Sequence, residues 1–107
     1  MLPSNQSRGT PTYDLERIQQ LVGQGAISRR VTTVALTGAH QLGLDRSEIV
    51  VAVLELTPTC FFKSMESDKC PGLWQDVYHL LYRSMELYIK LQIDPQGIAV
   101  VIQFKAR

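Results

Sequence analysis

Two cysteines, Cys60 and Cys70, are all the chain has, and they stand ten positions apart with no C-x-x-C pair between them. That is too few for a disulfide framework and the wrong spacing for a structural zinc site, so both read as reduced thiols. Long hydrophobic runs are also missing. Ile49 to Leu54 and Ile98 to Ile102 fall far short of the ~20 apolar residues that span a bilayer. No apolar stretch follows the start, so no secretory signal and a cytoplasmic location are expected. Neither sign of charge prevails: eleven Lys and Arg face ten Asp and Glu, for a formal charge of +1. Net charge therefore announces no nucleic-acid partner. G-x-x-x-x-G-K, G-x-G-x-x-G, G-x-S-x-G and H-E-x-x-H are all absent, which removes the usual handles for nucleotide, dinucleotide, esterase and zincin chemistry. The carboxylates are dispersed, giving no basis for a two-metal nuclease, and no cofactor or metal is expected.

What is present fits one compact unit. The 107 residues are 45% hydrophobic and 20% charged, enough for a core without staples. Met1 to Pro11, rich in small and polar residues, reads as a flexible arm, and 12–107 as a single domain. Leu15, Ile18, Leu21 and Val22 at spacings of three and four predict a first helix after Asp14, stopped by Gly23 and Gly25. Ala26 to Thr32 alternates like a short edge strand. Val34, Ala35, Ala39 and Leu42 resume helical spacing up to Gly43. Asp45 and Glu48 form a capping-box pattern that opens a third helix, its stripe Ile49, Val50, Val53, Leu54 and Leu56, ended by Thr57-Pro58.

From Cys60 the period changes to two, which places Phe61, Lys63 and Met65 on one side of a strand and Phe62 and Ser64 on the other. Trp74 to Tyr78 favours strand, and Leu87 to Ile93 and Ile98 to Phe104 alternate strongly about Asp94-Pro95-Gln96-Gly97, a type I turn signal. An antiparallel hairpin follows. Sharing one buried face pairs Ile93 with Ile98, Leu91 with Val100 and Ile89 with Ile102. The open face then carries Tyr88, Lys90 and Gln92 with Val101, Gln103 and Lys105, and Lys105 stands opposite Glu86, diagonal to Tyr88. A bulge after Gly97 is disfavoured here, because it would turn Gln103 and Lys105 into the core.

Lys63, following two phenylalanines, is suited to bind phosphate, although most strand lysines are simply solvated. Tyr88 and Lys105 gain interest from their expected proximity, against the ordinary reading of a cross-strand packing pair. Gln75 either hydrogen-bonds a ligand or faces water, and Trp74 reads as a core anchor rather than a base-stacking platform. His40 and His79 form an acid/base pair only if two different element types bring them together.

Phe61-Phe62-Lys63-Ser64-Met65, Leu73-Trp74-Gln75-Asp76-Val77-Tyr78, Leu87-Tyr88-Ile89-Lys90 and Phe104-Lys105, in this order, resemble the MqsR family of bacterial toxins over roughly residues 9 to 107. The resemblance implies a RelE-like α/β (α+β) fold, with N-terminal helices packed on a mainly antiparallel sheet formed largely by the C-terminal half. It also implies a ribosome-independent mRNA interferase that cuts single-stranded mRNA at short GC-containing sites such as GCU. Carried over by motif, the active-site residues would be Lys63, Gln75, Tyr88 and Lys105. The implied partner is a zinc-containing, DNA-binding antitoxin of the MqsA type. Tyr88 beside an ammonium that favours phenolate would carry a proton, or a lysine of depressed pKa would do so. The near-neutral charge then requires a local cationic face. The competing expectations are a non-catalytic RNA-binding module on the same sheet and a pure interaction subunit.

Overall fold

The computed structural model describes residues 6–107. Helix α1 spans Leu15–Gln24, strand β2 Arg29–Val31, helix α2 Thr33–Gln41 and helix α3 Arg46–Glu55. A two-residue strand β1, Ser7–Arg8, comes first, and β3 Phe61–Glu66, β4 Trp74–Tyr82, β5 Met85–Ile93 and β6 Ala99–Ala106 complete the chain. Each helix starts where a side-chain oxygen can satisfy a free N–H. Asp14 accepts from the Glu16 N–H and Thr32 from the Ala35 N–H. Asp45 and Glu48 close the expected capping box with bonds of 3.0 and 3.2 Å.

The six strands lie in the order β1-β3-β4-β5-β6-β2, antiparallel throughout except for β2, which joins β6 in parallel at the edge. The sheet comes mostly from the later half of the chain, and the result is the α+β fold expected. One face is covered by helices: Ile18, Leu21 and Val22 of α1, Ala35 and Ala39 of α2, and Ile49 and Val53 of α3 share a core with Tyr78, Leu87, Ile89, Leu91, Val101 and Phe104. Burying each large side chain contributes about 1.5–3 kcal/mol. In α3 the buried stripe is Ile49, Ala52 and Val53, whereas Leu54, expected inside, is exposed and Val50 only half-buried.

Register departs from expectation in the β5-β6 hairpin. The type I turn does form, with the Gly97 N–H donating to the Asp94 carbonyl, but Gly97 takes a positive φ of 83° and is itself a bulge residue. Asp94 therefore faces Ile98, and Ile93 pairs with Ala99 instead of Ile98, Leu91 with Val101 instead of Val100. A second irregularity, with Ile102 the extra residue, restores the original parity, so that Lys90 pairs with Gln103 and Tyr88 with Lys105. The bulge rejected at Gly97 exists, and the one at Ile102 keeps both polar side chains out of the core.

A third bulge, at Phe62, separates Phe61, paired with Tyr78 on the core side, from Lys63, paired with Val77 on the other. Phe61 and Lys63 thus do not share a face, contrary to simple alternation. The segment before α1 is tied to the sheet by the fully buried Asp76, whose carboxylate accepts the Thr12 N–H at 3.0 Å and the Tyr13 N–H at 2.9 Å. Ser64 Oγ adds a 2.7 Å bond to Thr12 Oγ1. Within the stretch expected to be a loose arm, Ser7 and Arg8 pair with Met65 and Ser64; residues 1–5 lie outside the described residues.

Candidate active site

Directly opposed residues of neighbouring strands point to the same side of a sheet. Lys63 pairs with Val77, Val77 with Lys90, and Lys90 with Gln103, so these four make one row across β3, β4, β5 and β6. The next row holds His79, Tyr88 and Lys105. Rows two residues apart are about 7 Å from one another and adjacent strands about 4.8 Å. Gln75 lies one row the other way, its amide donating to Gln92 Oε1 at 3.2 Å. All four expected site residues, Lys63, Gln75, Tyr88 and Lys105, therefore occupy the face of the sheet opposite the helices.

The rows bring together three ammonium groups. Lys105 Nζ stands 5.0 Å from the Tyr88 ring centroid and Lys90 Nζ 6.0 Å from the same ring, while Lys63 Nζ is 5.6 Å from that of Phe62. Lys90 is the central one and was not among the candidates. Partial burial lowers its pKa, and the charges of Lys105 and Lys63 add to the lowering against an opposing effect of Asp68. Its strand parity already placed it on this face; what sequence could not convey is the crowding by lysines from two other strands.

Tyr88 differs from expectation. Its pKa is raised by burial, so the phenol holds its proton and the phenolate is not the favoured form despite the nearby ammonium. Such a group donates hydrogen bonds. His79, weighed with His40 as a pair, lies beside Tyr88 at 6.0 Å between ring centroids and stacks on Phe62 at 4.3 Å with 23° between planes. Burial is the first cause lowering its pKa, and the Arg107 charge the next. His40 sits in the last turn of α2, which packs on β6, so β5 and β6 separate the two histidines and no pair forms. Trp74 is neither a member of the core cluster nor on the lysine face: it lies on the helix side with Asp76 and Tyr78, the Arg8 guanidinium 3.8 Å from its ring centroid.

Three cations, a neutral phenol and an amide on one open surface can hold a phosphodiester, neutralise charge that builds on it and supply a proton. No helix among the described residues is long and apolar enough to cross a membrane. The family model described as motility quorum-sensing regulator, toxin of MqsA, matches residues 10–106. The mRNA interferase toxin MqsR of Escherichia coli strain K12 is 30% identical over 98 residues, covering 92% of this chain and 96% of that relative. A match of this extent, over the segments that build both faces of the sheet, makes this chain a member of the MqsR toxin family.

Proposed function

We propose that this chain is a cytoplasmic endoribonuclease toxin that cleaves single-stranded mRNA, independently of the ribosome and of metal ions, at short GC-containing sites such as GCU. The observation that carries the reading is that Lys90 and Lys105 flank Tyr88 on one open face, with Lys63 in the Lys90 row and close enough for its charge to act on Lys90. The ribose 2′-oxygen attacks the adjacent phosphorus, the bond from phosphorus to the 5′-oxygen breaks, and a 2′,3′-cyclic phosphate and a 5′-hydroxyl result. Two protons must move: one leaves the 2′-hydroxyl and one reaches the departing oxygen. Lys90, whose pKa is lowered by partial burial and by the nearby Lys105 and Lys63 charges, is suited to take the first. Tyr88, which keeps its phenolic proton, is suited to give the second. Lys63 and Lys105 neutralise the phosphoryl oxygens, and Gln75, steadied by Gln92, orients the strand.

With a formal charge of only +1, RNA affinity comes from this face rather than from the whole molecule. Contacts by three lysines with a single strand predict that log K falls with log salt at a slope of about −2. The stacked Phe62 and His79 rings beside the lysines are a surface of the kind on which unpaired bases rest. A zinc-containing, DNA-binding antitoxin of the MqsA type is the partner that neutralises the toxin. The test is incubation of the purified chain with a defined transcript in EDTA. Cleavage leaving cyclic phosphate ends, and lost in a folded Lys105→Ala variant, supports the reading; binding without cleavage overturns it in favour of a non-catalytic RNA-binding module.

A further inference from the structure

Strand β2 stops at Val31, so β6 has a strand neighbour on that side only over Ala99 to Val101. Beyond that point α2 takes over the edge. Gly38 lies so close to β6 that a Cβ there would come within 1.9 Å of the Phe104 carbonyl oxygen. A helix is rounder than a strand, and where it replaces one it leaves a trough instead of a continued surface. Val34, Thr37 and Gln41 line the helix side of this trough, and Gln103, Phe104 and Lys105 the strand side. It holds about 340 Å³, the small end of the range for ligand clefts. Gln103 and Lys105 also stand in the two rows of the lysine face, so the trough opens directly beside it.

The chemistry of the lining selects the ligand. Lys105 is the one charged group along it, at the border with the site, which is poor provision for a second phosphate. Val34, 62% exposed, supplies apolar wall, while Phe104, its ring buried in the core, contributes only backbone to the floor. Gln41 is exposed and Gln103 half-buried, and each carboxamide presents a donor and an acceptor side by side, the pattern that matches a base edge. We propose that the trough takes one unpaired nucleobase of the RNA, adjacent to the phosphate held by the three lysines, and that Gln41 and Gln103 read its edge. The inference rests on the RNA-cleaving reading above and deepens it: base selectivity resides at the junction of α2 and β6, and backbone affinity on the sheet.

The experiment measures binding of 2′-O-methyl oligonucleotides, which present no 2′-hydroxyl for attack. One set carries GCU in a uridine context, a second its single-base variants, and a third an abasic residue at each position. The wild-type protein is expected to show one position at which the best and worst bases differ by about 5- to 150-fold, the range of one well-made bidentate contact. Gln41→Leu should collapse that ratio to less than threefold, and Thr37→Trp, filling the trough from an exposed helix position, should abolish the abasic effect there. Both variants should keep the wild-type salt slope. If both retain the wild-type base preference, or lose affinity equally for every oligonucleotide, or are impaired only in binding a protein antitoxin, the proposal is overturned. Protein that shows the expected base preference without cutting unmodified RNA would instead sink the cleavage reading and leave the trough assignment standing.

Discussion

The two faces of the sheet use the same two motifs for opposite ends. In Phe61 to Met65 and Trp74 to His79, the residues toward the helices are Phe61, Ser64, Trp74, Asp76 and Tyr78, and those away from them are Phe62, Lys63, Met65, Gln75, Val77 and His79. The helix side is packed and hydrogen-bonded: Asp76 and Ser64 hold the segment before α1, and Tyr78 lies in the core. The other side assembles like charges that repel one another. Neighbouring residues of one motif thus serve stability and, in the proposed function, chemistry in turn, and the pleat keeps the two sets apart. A change on one face should move one observable and spare the other.

Lys63→Ala tests the separation most severely. In the proposed function, loss of this cation should slow cleavage by about 10²- to 10³-fold, while thermal unfolding followed by circular dichroism shifts little. Its neighbour across the sheet thickness should do the reverse. Asp76→Ala removes the acceptor of two part-buried N–H groups and should cost about 3 kcal/mol, lowering Tm by about 15 °C. Activity assayed well below the new Tm should stay within about threefold of wild type; a 100-fold loss there would show that the two faces are not independent.

Alkaline pH, read through Tyr78, probes the inner face. Burial and the Asp76 charge push the Tyr78 pKa up to about 12. Between pH 10 and 12 the unfolded chain releases this proton and the folded chain keeps it, so the folded state binds more protons and stability falls as pH rises. The loss from this group should reach about 1.4 kcal/mol by pH 11, and urea titrations of Tyr78→Phe at pH 8 and pH 11 should differ by that much less than those of the wild type. Lys90→Met should produce a small stability change but an informative one. Removing the half-buried central ammonium relieves repulsion by Lys105 and Lys63 and should stabilise the fold by about 0.5–1 kcal/mol while reducing cleavage tenfold or more, a trade of function against stability. A variant that is less stable and fully active would contradict the role given to this lysine.

Helix starts and strand spans were legible because their causes are local. Asp14 and Asp45 cap where their side chains can reach, and alternation from Leu87 to Ile93 marks a strand with one buried face. Lateral pairing was less legible. Bulges at Gly97 and Ile102 each shift β6 by one residue in the same direction, two in all, so the faces of Gln103 and Lys105 come out as expected while their partners do not: Lys105 stands opposite Tyr88 instead of Glu86. The single bulge at Phe62 has no compensator, and there Phe61 changes sides. Lys90 shared a face with Tyr88 on parity alone; that it stands between two further lysines depends on the order of β3, β5 and β6, which no local pattern contains. Asp76 likewise gave no sign of its role, since its partners are backbone groups sixty-odd positions away.

The paired bulges of the final hairpin constrain how this protein can diverge. Removing one residue from the loop, or regularising the strand at Ile102 alone, would rotate Gln103 and Lys105 by half a turn and drive an ammonium among apolar side chains, so indels survive here only in matched sets. A lineage that trims the tip without a second alteration farther along the strand should therefore be expected to encode an inert protein.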